Sequence, residues 1–171
     1  MVQISYLGDP ALAFSVFFPL LLGIRWDAGV RLVGSLVISQ WGSQVMKWVM
    51  HGERPYWWFH QSRMYPYDMD IIQTHITCET GPGMPSSHSQ TTAIVWYALL
   101  DTWVHTQGGG WTLPSFLYWT IQLLVGLSRS FVGAHFPHQC IAGTMLGKEF
   151  QLLKIVLGDH GIWAKSKLGF F

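Results

Sequence analysis

Residues 111–128 read WTLPSFLYWTIQLLVGLS, eighteen positions without a single charge. An α-helix needs about 20 mostly apolar residues to cross a bilayer, so this run is the clearest candidate span. Four other apolar segments surround it. Residues 32–50 are interrupted by Gln40, Gln44 and Lys47, and residues 89–104 stay uncharged until Asp101. Residues 139–157 carry Lys148, Glu149 and Lys154, and residues 11–24 form a shorter run between Pro10 and Arg25. Each could also be a buried helix of a soluble protein. Ionisable residues inside membrane helices, however, face the bundle interior and mark function, and Tyr56, Trp57, Trp58, Trp103 and Trp111 suit an interfacial aromatic belt. The expected fold is therefore all-α, a polytopic transmembrane bundle of about five helices.

Bulk composition agrees. Of the 171 residues, 11% are charged and 50% hydrophobic, with ten Trp and a net charge of +1. Soluble domains carry roughly 25% charged residues, so lipid is expected to cover part of this surface. The charge balance excludes a basic nucleic-acid binder, and the hydrophobicity excludes intrinsic disorder. Cys78 and Cys140 match no CxxC pair or zinc-ligand spacing, and without Asn there is no glycosylation sequon. The first nine residues lack a basic n-region, so the helices themselves are expected to direct insertion. No linker divides the chain, which is expected to form one unit over residues 1–171.

Alternation of five helices would put two polar stretches on one membrane face, gathering Lys47, Arg54, His88, Arg129 and His135 at one end of the bundle. Lys47 and Arg54 stand seven residues apart, about two helical turns, and Pro55 favours an exit from the helix. Taken alone, each cation is also an ordinary helix-end charge. Together they suit an anion, because guanidinium forks match phosphate oxygens and Lys adds a point charge. The turn Gly81-Pro82-Gly83-Met84-Pro85-Ser86-Ser87-His88 precedes a helical run. Its hydroxyls and backbone N–H groups fit either a phosphate seat or a plain N-cap. His135 and His138 lack a third ligand at a useful spacing, so no metal site is expected.

Three motifs, K-x6-R-P (Lys47 to Pro55), P-S-x-H (Pro85 to His88) and S-R-x5-H (Ser128 to His135), resemble the signature of the phosphatidic acid phosphatase type 2 (PAP2) and haloperoxidase superfamily. The words R-P-Y-W-W, C-E-T-G-P-G and H-F-P-H-Q look like its glucose-6-phosphatase branch. The resemblance implies a nucleophile at His135 and a proton donor at His88, with phosphate held by Lys47, Arg54, Ser86, Ser87 and Arg129. It further implies glucose 6-phosphate as substrate, a phosphohistidine intermediate and no cofactor; the alternatives are a phosphatase for another sugar or lipid phosphate, or a truncated, inactive membrane protein. Its setting would be the endoplasmic reticulum membrane, with a lumen-facing site and a glucose-6-phosphate transporter as a candidate partner. Ser87 stands where the superfamily usually has Gly, and Gln139 stands where it has an Asp that orients the nucleophile. The resemblance covers residues 8–147. Residues 148–171 read as a divergent tail, and family members have more membrane helices than five, so a chain shortened at its C-terminus is expected.

Overall fold

In a computed structural model, residues 1–62, 64 and 81–160 are described, with side chains through residue 151. Cys78 and the loop charges Arg63, Asp68, Asp70 and Glu79 lie outside them, as does the tail from residue 161. Among the described residues the regular structure is all helical, joined by short turns. The helices are α1 (Val2–Gly8), α2 (Pro10–Ile24), α3 (Trp26–Met50), α4 (Pro55–Ser62), α5 (Ser87–Gln107), α6 (Thr112–Phe131) and α7 (Pro137–His160).

The breaks have local causes. Asp9 is extended, and its carboxylate accepts from the Ala11 N–H at 2.8 Å while Pro10 starts α2, giving a 50° bend after α1. Asp27 sits in the first turn of α3, where a carboxylate suits the helix dipole, and both Arg25 and Arg31 bond to it. Left-handed His51 (φ 45°) ends α3. Arg54 is thus not on the same helix as Lys47, which differs from the reading of two turns on one face. Pro55 opens α4 instead of ending α3, because a proline ring is equally suited to a first helical turn.

α5 packs on α3, α6 and α7. Leu21, Leu32, Leu36, Ile94 and Val95 form an apolar core at one level. Nearer the Lys47 end of α3, the interior turns polar. Ser35, Ser39, Ser43 and Lys47 recur every fourth residue and are all buried. Ser39 accepts from the Gln90 amide at 2.7 Å, Gln40 donates to Thr91 at 2.9 Å, and the Ser43 and Ser87 hydroxyls lie 3.2 Å apart. Small hydroxyl residues let helices approach and bond across their interface.

The outer faces are apolar: Trp41 is 74% exposed and Phe131 75%, and Phe116, Trp119, Leu123 and Leu127 form an exposed stripe on α6. A bundle with polar groups inside and apolar groups outside suits a lipid surrounding. Among the described residues no single helix is long and apolar enough to cross a membrane, although the bent pair α1–α2 passes that test. Thr, Ser, Gln and aromatic residues dilute the apolar character of α6 despite its lack of charge until Arg129. Lys148 on α7 rests its ammonium 5.7 Å from the Trp119 ring centre, a cation–π contact.

Candidate active site

The residues singled out above come together where α3 ends and α5 and α7 begin. Lys47 is buried in the last turn of α3, one turn beyond Ser43. Ser86 is the N-cap of α5, fully buried, with its hydroxyl accepting from the Ser89 N–H at 3.5 Å. Ser87 and His88 follow in the first turn and are half-buried. Arg129 closes α6, fully buried, and its Nη1 donates to Ser5 Oγ at 3.0 Å.

Arg54 is 2% exposed. Its Nε donates to the Gly81 carbonyl at 2.6 Å, its Nη2 to Pro82 at 3.2 Å and its Nη1 to Ala134 at 3.2 Å. One planar guanidinium therefore ties the turn before α5 to the residue preceding His135. A desolvated cation is tolerable only with such bonds.

A tight turn delivers His135. Gly133 adopts φ 70°, and the N–H groups of Ala134 and His135 both point back to the Arg129 carbonyl, at 3.1 and 3.4 Å. The imidazole is 1% exposed. Its Nδ1 lies 2.8 Å from the Gly83 carbonyl and 3.3 Å from Gln139 Oε1. A carbonyl only accepts, so Nδ1 must carry the proton. In the neutral ring Nε2 then holds the lone pair.

Gln139 is held from three sides. Its Nε2 donates to the Glu53 carbonyl at 2.6 Å, which turns Oε1 toward the Phe136 N–H (3.1 Å) and His135 Nδ1. With Pro137 as the first residue of α7, Gln139 occupies the third and reaches back as one half of a capping box does. That spacing was visible in F-P-H-Q and is the signal that finds Gln139. The Gly83 carbonyl left no such trace, because a backbone partner is chosen by tertiary folding. Gly83 is itself pinned, its N–H donating to the Gly52 carbonyl at 2.6 Å. α4 adds a lateral contact, Trp58 meeting Phe136 edge to face.

This arrangement offers an imidazole with a fixed tautomer, a second imidazole at a helix start, buried cations, and the N-terminal amides of α5. These are the parts needed to bind a tetrahedral oxyanion and attack its central atom. Beside it, α6 and α7 enclose a mostly apolar groove of about 680 Å³ that runs from Ser130 and Pro137 past Gly126 and Ile141 to Lys148.

A model of the PAP2 superfamily matches residues 28–153. The chain is 34% identical over 157 residues to Glucose-6-phosphatase 2 of Mus musculus, covering 84% of this chain and 44% of that protein. It is 39% identical over 179 residues to Glucose-6-phosphatase catalytic subunit 1 of Haplochromis nubilus, covering 98% of this chain and 50% of the relative. Among solved structures, it superposes on a transmembrane PAP2 type phosphatidylglycerolphosphate phosphatase from Bacillus subtilis with a TM-score of 0.65. That match covers 99% of this chain and 77% of the other at 20% identity. The chain spans about half the length of the curated relatives it matches.

Proposed function

The chain belongs to the PAP2 superfamily, and on that premise we propose that it hydrolyses glucose 6-phosphate to glucose and inorganic phosphate through a phosphohistidine. The observation that carries this reading is the Nδ1–H of His135 held by the Gly83 carbonyl, which leaves Nε2 as the nucleophilic nitrogen. Nε2 attacks phosphorus, the bond from phosphorus to the sugar oxygen breaks, and His88 supplies the proton that the leaving alkoxide takes up. Water then attacks the phosphohistidine, His88 takes its proton, and phosphate departs with His135 restored. Lys47, Arg54 and Arg129, with Ser86, Ser87 and the amides at the start of α5, hold the phosphoryl oxygens and offset their charge. Fixed cations take the electrostatic part, so the scheme uses no cofactor.

The names of the curated relatives support the sugar phosphate. In the same reading the protein resides in the endoplasmic reticulum membrane with its site facing the lumen. Arg25 and Arg31 then fall on the cytosolic side, in keeping with the positive-inside rule. A glucose-6-phosphate transporter would deliver the substrate across that membrane. The apolar groove between α6 and α7 favours a second substrate class, an amphiphilic lipid phosphate, because it opens beside Ser130 and Pro137.

The test is phosphate release by membranes expressing the chain, beside a His135→Ala control. Turnover of glucose 6-phosphate that the control loses is the expected result. Turnover of phosphatidic acid alone would transfer the reading to lipid phosphates. No turnover of either, at equal expression, would make this chain a non-catalytic member of its family.

A further inference from the structure

α1 lies outside the three motifs, yet it touches two residues of the site. Ser5 is fully buried and takes a hydrogen bond from Arg129 Nη1 at 3.0 Å. The neighbouring Ser128 hydroxyl donates to the Met1 carbonyl at 2.7 Å, so two successive residues at the end of α6 are tied to α1 and to the residue that caps it. At its other end α1 is wedged against α5. Trp96 Nε1 donates to the Leu7 carbonyl at 3.3 Å, and a Cβ built on Gly8 would lie 2.7 Å from the His88 carbonyl oxygen. The Gly8 to His88 approach fixes how closely α1 can sit, and that in turn fixes where Ser5 meets Arg129.

From these contacts we propose that Ser5 is a positioning residue for Arg129, setting the plane in which its guanidinium faces the phosphate. A guanidinium is planar, and its remaining N–H groups are aimed once one nitrogen and the side-chain stem are fixed. Arg129 is anchored by its stem at the last turn of α6, and its Nη1 is held by Ser5, so α1 contributes to the aim of a cation delivered by α6. Mere satisfaction of a buried hydroxyl would not require this geometry. Ser15 and Ser35 donate to carbonyls of their own helices, whereas Ser5 presents its oxygen as an acceptor to a cation on another helix. The proposal rests on the phosphatase reading for the role of Arg129.

The experiment compares the full chain in detergent with Ser5→Ala, Arg129→Lys and the double variant. Binding of inorganic phosphate is followed by isothermal titration, and turnover of glucose 6-phosphate is measured in parallel. Ser5→Ala removes one oxygen and is expected to lower the thermal midpoint by a few degrees while weakening phosphate binding of the folded protein by about 3- to 10-fold, the range for a lost hydrogen bond. KM should rise by a similar factor. In the Arg129→Lys background the same change should add nothing, because the bond it would break is already gone. A Ser5→Ala variant with unaltered phosphate affinity overturns the proposal, as does an equal weakening in both backgrounds. A purely structural role would lower apparent kcat through loss of folded enzyme and leave phosphate affinity per folded molecule unmoved. If the parent binds phosphate but turns over no more ester than His135→Ala, the phosphatase reading fails while Ser5 is still decided by the titration. If the parent binds no phosphate, both fail.

Discussion

Arg54 Nη1 donates to the carbonyl of Ala134 at 3.2 Å, so a side chain eighty positions upstream holds the residue just before His135. Its other nitrogens hold Gly81 and Pro82. The superfamily resemblance assigns Arg54 to phosphate, and the contacts give it a second task as the tie between two turns. Arg54→Lys keeps the charge and loses the fork. Three carbonyls in one plane cannot all be met by an ammonium, and each one left unsatisfied costs about 1–3 kcal/mol. We expect turnover to fall by ~100-fold or more and the unfolding midpoint to drop. A Lys variant with the parent's KM and midpoint would refute the tie.

Gln139 faces His135 Nδ1 where a carboxylate would be the obvious choice. Gln139→Ala should lower kcat by about 10- to 100-fold with little change in KM, the usual penalty for losing the group that orients a working histidine. Gln139→Glu is the sharper experiment. It would set a carboxylate oxygen against the Glu53 carbonyl, now 2.6 Å from the amide nitrogen, where two acceptors repel. The Glu variant should therefore be no more active than the Ala variant. Full activity in Gln139→Glu would show that the bond to Glu53 is dispensable.

Three glycines make a graded series. A Cβ on Gly83 would stand 2.9 Å from both Gln139 Oε1 and the Glu53 carbonyl oxygen, and the latter, being backbone, cannot turn aside. A Cβ on Gly143 would collide with the Ser86 carbonyl at the start of α5, whereas one on Gly23 meets nothing within 4 Å. Overpacking costs about 1–3 kcal/mol, so Gly83→Ala and Gly143→Ala should lower the thermal midpoint. Gly83→Ala should in addition lose at least ~10-fold in kcat, since a misplaced carbonyl turns the His135 ring. Gly23→Ala should be neutral or stabilising by up to about 1 kcal/mol. Melting curves and initial rates on the three variants check the ranking.

Ser43 tests the polar seam between α3 and α5. Ser43→Ala gives up the contact with Ser87 at 3.2 Å and should cost about 0.6 kcal/mol, typical of interhelical hydrogen bonds in bilayers. Ser43→Leu should cost more, about 1–3 kcal/mol, by forcing the two helices apart. Because Lys47 lies one turn further along α3, the Leu variant should also raise KM. Equal midpoints for the two variants would mean the seam is loosely packed.

Much of this was legible in the sequence. The five apolar segments correspond to α2, α3, α5, α6 and α7, and of the residues expected at one end, Arg54 and His135 are joined through Ala134 and the turn at residues 81–83. The periodicity of apolar residues and the order of the motifs were sufficient for that. Other features were not legible, for physical reasons. Pro55 suits both a helix exit and a helix entry, so α4 was hidden inside a loop. Arg54 reads as a surface cation until its three carbonyl partners are known. Ser5 and Gly8 act through close approach of a short helix, and periodicity carries no information about which helix end meets which. Gln139 was legible as a departure from the superfamily pattern, while its three simultaneous hydrogen bonds needed the fold.

The Gly83 N–H donates to the Gly52 carbonyl at 2.6 Å, so the end of α3 and the turn before α5 are clasped together beside the site. Arg54 and Gln139 bolt the same clasp from either side. The geometry around His135 is thereby uncoupled from the length of chain between the two clasped ends. Loop-closure entropy rises by only about 0.6 kcal/mol for each doubling of length. A change in the length of chain between Ser62 and Gly81 therefore adds little entropy cost, so long as Gly52, Arg54 and Gly83 keep their bonds and hold the reacting groups in register.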